Sequence, residues 1–166
     1  FRRSTKSDLK EIIEIIKEAQ NYFKANNIDQ WQDGYPNEES IMNDIESGES
    51  YILLKDNKII ATAYLSFNGE SDYDIIHEGK WLGDENYAVI HRVAVSNNMK
   101  GQGMAGELFK QIENLCLENK VNHIRIDTHR HNRSMQRFLM KSGFEYCGII
   151  YLKDNSERIA FEKVLL

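Results

Sequence analysis

The chain has 166 residues, a formal net charge of −5 and 41% hydrophobic residues, which suffices for a single domain over residues 1–166 with one core. The acidic balance disfavours a nucleic-acid partner, because proteins that bind phosphate backbones are usually basic. No apolar run approaches the roughly 20 residues of a membrane span, and neither a signal peptide nor a disulfide framework is indicated, so we expect a cytoplasmic protein without a membrane partner.

Hydrophobic periodicity, capping residues and turn residues predict the elements in the first half of the chain. These elements are a short strand over 1–5, a helix from the N-cap Ser7 to Asn26–Asn27, a turn-rich segment over 28–36, a short helix capped by Asn37 and ending near Ile45, strands over 51–55 and 58–67 joined at Asp56–Asn57, and a long acidic segment over 68–85. Loops of that length inside a compact domain are often functional, although the charges by themselves indicate a solvated loop.

The second half of the chain alternates strands with helices. The predicted elements are a strand over 87–95, an amphipathic helix over 103–119, a strand over 124–128, a helix over 132–142 ended by Gly143, and strands over 146–152 and 158–164 around an Asp154–Asn155 turn. Cys116 falls in the apolar stripe of the amphipathic helix and is expected to be a buried thiol. This order predicts an α/β fold in which a mixed sheet carries helices on both faces.

The segment from Val93 to Ala105 joins the end of a strand to the start of a helix through a short loop with two glycines. Successive backbone N–H groups at such a junction face outward, and the helix dipole adds partial positive charge. The junction therefore predicts a site for a phosphate or pyrophosphate, and the glycines permit close backbone approach. The alternative is an ordinary turn. The dinucleotide fingerprint and the P-loop are excluded, because the third glycine is misplaced and no Gly-Lys-Ser/Thr follows.

With this loop in this place, the order of elements resembles the Gcn5-related N-acetyltransferase (GNAT) superfamily over nearly the whole chain. The family pattern at the loop is Gln or Arg, two residues, Gly, one residue, then Gly or Ala. This chain has Asn98, Gly101 and Gly103 at those positions, so the spacing holds. Asn98 is shorter than the usual donor, and Lys100 is expected to compensate in part.

A second family pattern is Asn, two residues, Ala, three residues, Tyr, three residues, Gly-Phe. Asn132 and the pair Gly143–Phe144 match it in register. Met135 stands at the Ala position and Leu139 at the Tyr position. The two patterns occur in the expected order and on the expected elements.

The resemblance implies acetyl-CoA as the acyl donor, bound in a cleft where two neighbouring parallel strands separate. The strand end offers its backbone to the pantetheine arm, the glycine loop wraps the pyrophosphate, and an asparagine contacts the cofactor from the following helix. The cofactor-binding residues so implied are Val93, Ala94, Val95, Asn98, Met99, Lys100, Gly101, Gln102, Gly103, Met104, Ala105 and Asn132.

The family transfers the acetyl group directly to an amine, which requires a base, donors for the oxyanion, and a proton or other stabilisation for the leaving thiolate. The family's usual acid is a tyrosine at the position of Leu139, and leucine cannot donate a proton. Tyr146 is the first candidate to replace it, the alternative being an ordinary strand tyrosine. A thiolate can also leave unassisted near neutral pH, since an unperturbed thiol has a pKa of about 8.5. Cys147 has no evident base partner, which argues against a covalent route.

His91 is the candidate catalytic base, and Asp127 is a further candidate catalytic residue. His91 lies on the strand that leads to the glycine loop, and the ordinary histidine pKa of about 6.5 suits proton transfer. Strict alternation puts His91 and Arg92 on opposite faces of that strand. Asp127 and His129 end the next strand, where they would relay a proton, bind substrate or serve only as polar strand ends. We expect no metal, because His123 lies far from His129 and His131.

The resemblance also implies that two loops form the acceptor pocket, namely the loop between the first two helices and the connection over 68–85. Trp31, Gln32 and Tyr35 are the candidate substrate-binding residues, because each combines an apolar body with a polar tip. The alternative is a loop pinned by aromatic packing. Acidic residues in the second loop would attract a cationic amine. The sequence leaves amino acids, polyamines, aminoglycoside-like compounds and peptide N-termini open.

We therefore expect an N-acetyltransferase that moves an acetyl group from acetyl-CoA to a primary amine of a small molecule or peptide. One alternative is a catalytically impaired, CoA-binding regulatory domain of the same fold, which the departures at Asn98 and Leu139 would explain. A second is an interaction domain whose glycine loop is only a turn. Dimers are common in the family, and the sequence leaves a homodimer open.

Overall fold

The computed structural model describes residues 1–166. Its helices and strands are β1 Arg2–Arg3, α1 Leu9–Ala25, α2 Glu38–Glu46, β2 Ser50–Lys55, β3 Lys58–Ser66, β4 Tyr87–Val95, α3 Met104–Glu118, β5 His123–Thr128, α4 Arg133–Lys141, β6 Glu145–Tyr151 and β7 Glu157–Val164. The seven strands form one mixed sheet in the order β1-β2-β3-β4-β5-β7-β6, which confirms the predicted α/β fold. None of the helices combines the length and the apolar character needed to cross a bilayer.

The residues group into two compact units. The first unit comprises Phe1–Leu65 and His91–Ile112, and the second comprises Ser66–Ile90 and Glu113–Leu166. Both units contain part of β4 and part of α3, because the division falls inside these two elements.

The first unit is built on the antiparallel hairpin of β2 and β3. Asp56 and Asn57 close this hairpin, and their φ angles of 51° and 60° are those of a turn that follows the twist of the strands. Helices α1 and α2 contribute the apolar residues Ile12, Ile16 and Ile41 to its core, together with residues of β2 and β3. The predicted hairpin and both predicted helices are therefore confirmed.

The start of α1 differs from the prediction. Residues Lys6–Asp8 form a 3₁₀ turn, and the Asp8 carboxylate accepts hydrogen bonds from the Thr5 backbone N–H at 2.7 Å and from the Thr5 hydroxyl at 3.0 Å. Arg2 donates to the same carboxylate at 2.8 Å. Ser7 lies inside the turn, so its prediction as the N-cap was wrong. The turn moves the capping role to Thr5 and Asp8.

Replacing Asp8 with alanine is expected to lower the free energy of unfolding by about 1–2 kcal/mol at neutral pH, because a cap and an ion pair are both lost. The hydrogen bond from Arg2 lowers the pKa of Asp8 from 3.8 to about 2. The stabilisation that the ionised Asp8 carboxylate provides is therefore complete above pH 3.8 and is lost as the pH falls through 2. Urea denaturation of both proteins at several pH values between 7 and 2 should show the difference shrinking only in the acid range. A constant difference would contradict this assignment.

In the second unit, the first half of β4 runs parallel to β5, and β5, β7 and β6 are antiparallel neighbours. Tyr87 lies opposite His123, and Ile90 lies opposite Ile126. The core of this unit contains Tyr73, which is 1% exposed and comes from the acidic segment 68–85 that precedes β4.

This acidic segment is not simply a solvated loop. Asp74, Glu78, Asp84 and Glu85 are exposed, as a solvated loop would require. Its aromatic residues are packed inward, however, and the Trp81 indole N–H donates to the Tyr73 carbonyl at 2.9 Å. The solvated-loop interpretation therefore holds for these charged residues, whereas Tyr73 and Trp81 of the same segment pack into the second unit.

A buried network fixes the end of the same segment. The Glu162 side chain, which is fully buried, accepts the Leu82 backbone N–H at 2.6 Å and contacts Nδ1 of His123 at 2.8 Å. Arg125 donates to the Gly83 carbonyl at 2.7 Å. The segment is therefore held by its packed aromatic residues and, near its end, by the backbone of Leu82 and Gly83.

Candidate active site

In the first unit, the end of β4 passes into the glycine loop at the position that the sequence predicts. Asn97–Met99 form a 3₁₀ turn, and α3 begins at Met104. The Ser96 N–H donates to the Ile60 carbonyl at 2.8 Å, and the Asn97 N–H donates to a Glu18 carboxylate oxygen at 2.5 Å. The start of the loop is thus fixed to β3 and α1.

The two glycines of the loop adopt a conformation that other residues rarely use. Gly101 and Gly103 have φ angles of 74° and 78°, and a Cβ atom at either position would have no neighbour within 4 Å. The backbone angles therefore favour glycine at both positions, whereas crowding within the protein does not. The space above the loop is open. The first N–H groups of α3 have no partners within the helix, and they lie directly after this loop. Such an arrangement suits a phosphate group.

Two polar side chains of the loop contact other protein groups. The Lys100 ammonium lies 4.5 Å from the centre of the Tyr22 ring on α1. Gln102 donates to the Asn98 carbonyl at 3.1 Å. Neither contact is with an anion, so a compensating role of Lys100 requires its ammonium to leave Tyr22.

The remaining residues predicted for the cofactor in this unit lie at the strand end, in the 3₁₀ turn and in the first turn of α3. Ala94 is buried, whereas Val93 and Val95 are half-buried. Met99, Met104 and Ala105 are half-buried as well.

Strand β4 does not alternate regularly. Arg92 has a φ of 51°, which is the left-handed region and interrupts an extended strand. The expectation that His91 and Arg92 follow strict alternation was therefore wrong at this point. A break of this kind re-aims the backbone and side chains that follow it, directly before the strand end that is predicted to bind the cofactor.

Arg92 is the centre of a buried polar cluster. Its guanidinium makes two hydrogen bonds to Asp44 of α2, at 2.7 Å and 2.6 Å, and donates to the Tyr35 hydroxyl at 2.5 Å. It also lies 4.5 Å from the centre of the Tyr64 ring. Burial raises the pKa of Asp44 even though the charge of Arg92 opposes this. Both charges are therefore largely removed from water, and each is stabilised by its partner instead.

The candidate base His91 is half-buried, and its ring stacks on Tyr64 with 5.7 Å between the ring centres. Tyr64 thus contacts both His91 and the Arg92 guanidinium. The Arg92 guanidinium and the predicted base His91 therefore share Tyr64 as a neighbour.

The predicted acceptor residues lie on the loop that Arg92 contacts. Trp31 is half-buried and packs edge-on against Phe23 of α1, with 5.4 Å between the ring centres. Gln32 donates to the Gln20 carbonyl at 3.0 Å. Tyr35 is 43% exposed, and its hydroxyl is the acceptor for Arg92. Trp31 and Gln32 therefore fix the loop to α1, whereas Tyr35 also presents an accessible ring.

In the second unit, Asp127 lies near the end of β5 and accepts a hydrogen bond from the buried Tyr73 hydroxyl at 2.6 Å. His129 follows, and its Nδ1 accepts the His131 backbone N–H at 3.1 Å. His123 is bound to Glu162 instead, at the other end of the strand. No group of three or more His, Cys, Asp or Glu side chains is arranged to hold a metal ion.

Helix α4 carries the second family pattern. Asn132 is its N-cap and accepts the Met135 N–H at 3.2 Å. Leu139 is completely buried. The helix stops at Gly143, whose φ of 88° fits the predicted C-terminal stop.

Tyr146 is 52% exposed and stands edge-on to Phe161, with 6.0 Å between the ring centres. It lines a cavity of about 450 Å³ in the second unit together with Arg130, His131 and residues of α4. Its hydroxyl is thus on an accessible side chain, and cationic groups line the same cavity.

Burial makes both cysteine thiols poor nucleophiles. Burial raises the pKa of Cys116 to about 12 and that of Cys147 to about 11. We expect iodoacetamide at neutral pH to label each thiol in the folded protein at least about 100-fold more slowly than in the unfolded protein, because the thiolate is the reactive form. Mass spectrometry of tryptic peptides would measure both rates. Rapid labelling of native Cys147 would reopen the covalent route.

Sequence reasoning missed the buried contacts of three residues, Asp44, Arg92 and Tyr73. Asp44 shares the apolar face of α2 with Ile41 and Ile45, and a carboxylate at that spacing signals a buried cation partner. Arg92 is the one Lys, Arg, Asp or Glu in β4, which is a similar signal. Tyr73 stands alone among acidic residues, and no pattern in the sequence distinguishes it from an exposed tyrosine.

The family model for the acetyltransferase (GNAT) family matches residues 12–144. The chain is 27% identical over 108 residues to YesJ of Bacillus subtilis (strain 168), which is named an uncharacterized N-acetyltransferase. That match covers 65% of this chain and 59% of YesJ, so the similarity spans less than two thirds of the relative.

Solved structures show the same fold. A GNAT-family acetyltransferase from Streptococcus agalactiae is 34% identical, with a TM-score of 0.90 over 99% of this chain and 94% of its own. The PaiA N-acetyltransferase from Thermoplasma acidophilum, solved in complex with coenzyme A, is 18% identical, with a TM-score of 0.71 over 98% of this chain and 96% of its own. At that identity the second likeness concerns the fold alone.

Proposed function

Because the chain belongs to the GNAT family of acetyltransferases, we propose that it transfers the acetyl group of acetyl-CoA directly to a primary amine of a small molecule or peptide. Acetyl-CoA is the acyl donor of this family. The observation that carries the proposal is the glycine loop at the end of β4, with its two left-handed glycines and the start of α3. The coenzyme A in the Thermoplasma acidophilum relative supports the same ligand class.

The residues of the loop fit the cofactor. Open space above Gly101 and Gly103 leaves room for a phosphate to approach the backbone, and the N–H groups at the start of α3 supply donors. We assign the pyrophosphate to Asn98–Ala105 and the pantetheine arm to the backbone of Val93–Val95. Asn132 is the proposed contact from α4. When bound, acetyl-CoA supplies an activated acetyl thioester.

The acceptor amine must lose a proton before it can attack, and we propose Asp127 as the base, with His91 as the second candidate. The half-buried Asp127 carboxylate, which accepts a hydrogen bond from the Tyr73 hydroxyl, supports this choice. His91 is supported by its half-buried place next to Tyr64 on β4. Substituting each residue separately would separate the two roles.

The leaving thiolate is proposed to receive its proton from Tyr146, since the buried Leu139 has none to give. The accessible side chain of Tyr146 and the cationic groups Arg130 and Arg133 that line the same cavity support this role. A thiolate stabilised by positive charge leaves readily even without a proton.

For the acceptor we propose a cationic amine bound by Trp31, Gln32 and Tyr35. The exposed ring of Tyr35, held by Arg92, supports a contact with an alkyl or aromatic part of the acceptor. The exposed carboxylates at 74–85 would attract a positively charged molecule. The two free cysteines support the further proposal of a reducing, cytoplasmic location.

The proposal is tested by incubating the protein with acetyl-CoA and a panel of amino acids, polyamines, aminoglycosides and amino-terminal peptides, and by analysing the products by mass spectrometry. We expect one class to be acetylated, and the Tyr35→Ala variant to have a higher KM for that class at little change in the KM for acetyl-CoA. Binding of acetyl-CoA without any acetylated amine would favour the impaired regulatory domain instead.

A further inference from the structure

Tyr73 makes an unusual contact for a residue of a long acidic segment. It lies 54 residues before Asp127 in the chain, yet its hydroxyl donates to Oδ2 of Asp127 at 2.6 Å. The tyrosine is 1% exposed, whereas Asp127 is half-buried. A buried phenol is thus directed at a carboxylate that remains partly accessible.

The tyrosine is held rigidly. Its carbonyl accepts the Trp81 indole N–H at 2.9 Å, and its ring contacts those of Trp81 and Tyr87 at 5.2 Å and 6.4 Å between centres. Val89 and Ile150 complete the packing around it. Because these contacts restrict rotation of the ring, they fix the direction of the hydroxyl group as well.

The electrostatic surroundings keep the phenol in its donating form. Burial, and then the negative charge of Asp127, raise the pKa of Tyr73 well above its ordinary value. Glu70 and Tyr87 act in the same direction. Arg125, whose guanidinium lies 3.9 Å from the centre of the Tyr87 ring, is the cation of this cluster. The phenol therefore stays protonated at every pH at which the enzyme would work.

We propose that Tyr73 is a positioning residue that orients the Asp127 carboxylate, so that Asp127 can accept a proton from the acceptor ammonium. This inference rests on the proposed function, in which Asp127 is the base. A short hydrogen bond from a phenol to a carboxylate stabilises the negative charge and fixes one oxygen. The acidic segment thus contributes to proton transfer through a buried residue, beside any attraction of the acceptor by its exposed charges.

The Tyr73→Phe variant tests this proposal, because it removes only the hydroxyl group and leaves the packing in place. We expect the acid limb of the kcat/KM pH profile to move up by about one pH unit, as the loss of one charge-assisted hydrogen bond implies. We expect kcat to fall about tenfold. Tyr87→Phe is the matched control, since it removes a phenol from the same cluster without touching Asp127, and it should leave the acid limb in place.

A double-mutant cycle separates this role from a merely structural one. If Tyr73 acts through Asp127, Tyr73→Phe should lower kcat in the wild-type background but have little further effect in the Asp127→Asn background. Equal losses in both backgrounds would overturn the proposal. An unmoved acid limb, or one moved equally by Tyr87→Phe, would overturn it as well.

A measurement that does not depend on activity distinguishes this inference from the proposed function. The NMR signal of the Asp127 carboxyl carbon should titrate at higher pH in Tyr73→Phe than in the wild type. If it does and no amine is acetylated, the proposed function is wrong while the pairing of Tyr73 with Asp127 stands. If amines are acetylated and the titration is unchanged, the inference is wrong while the proposed function stands.

Discussion

Replacing both Gly101 and Gly103 with alanine is expected to weaken acetyl-CoA binding by about 30-fold to 1,000-fold. Both glycines have φ angles in the left-handed region, where a non-glycine residue costs about 1–2 kcal/mol. Two such residues together cost about 2–4 kcal/mol, and every 1.4 kcal/mol corresponds to a factor of about ten in affinity. The loop would escape this strain only by leaving the conformation that suits a pyrophosphate. Isothermal titration with acetyl-CoA would measure the effect.

Gly106→Ala provides a matched control for this prediction. Gly106 lies in the first turns of α3, has open space where the Cβ atom of an alanine would lie and has no left-handed φ. Alanine there should leave acetyl-CoA binding unchanged and should stabilise the helix by about 0.5–1 kcal/mol. Equal losses of affinity in the two proteins would mean that the glycines are needed for space and not for their backbone angles. Unchanged affinity in the double variant would remove the loop from the site.

Replacing Arg92 with methionine is expected to lower the free energy of unfolding by about 3–5 kcal/mol, because it leaves the Asp44 carboxylate buried without its partner. The Arg92 and Asp44 side chains are only 13% and 10% exposed. The pKa of Asp44 is already raised by burial, and removal of Arg92 removes the two largest contributions that lower it. The folded variant therefore binds a proton more tightly than the unfolded chain does, and its stability falls as the pH rises.

Urea denaturation at acidic and at alkaline pH would test both the size and the sign of this effect. The double variant Arg92→Met/Asp44→Leu is the control, since it removes the unpaired charge and should recover much of the lost stability. If the double variant is as unstable as Arg92→Met alone, the loss comes from packing or from the Tyr35 hydroxyl. If the single variant is as stable as the wild type, the buried pair does not stabilise the first unit.

The regular elements could be predicted from the sequence because each follows a local rule. Asn37 caps α2, and the Asp56–Asn57 turn joins β2 and β3, since capping and hairpin turns depend on neighbouring residues. The start of α1 was missed because two competing caps, Thr5 and Ser7, lie within one turn, and only the carboxylate of Asp8 decides between them.

The candidate site was predictable only where its residues are neighbours in the sequence. The glycine loop is a continuous stretch, and its spacing is visible in one chain. The contact of Arg92 with Asp44 joins residues 48 positions apart, and that of Tyr73 with Asp127 joins residues 54 apart. Spacing along one chain contains no information about such pairs. The left-handed φ of Arg92 was also unpredictable, since arginine has no preference for that region.

The central claim is that the chain moves an acetyl group from acetyl-CoA to an amine, and a stoichiometric assay tests it most directly. The free thiol of CoA and the acetylated amine would be quantified together by mass spectrometry, with the amine class that the panel identifies. We predict that the two products form in equal amounts, and that the Gly101→Ala/Gly103→Ala variant forms both more slowly at limiting acetyl-CoA. Release of CoA without any acetylated amine, or no release with any amine of the panel, would contradict this claim.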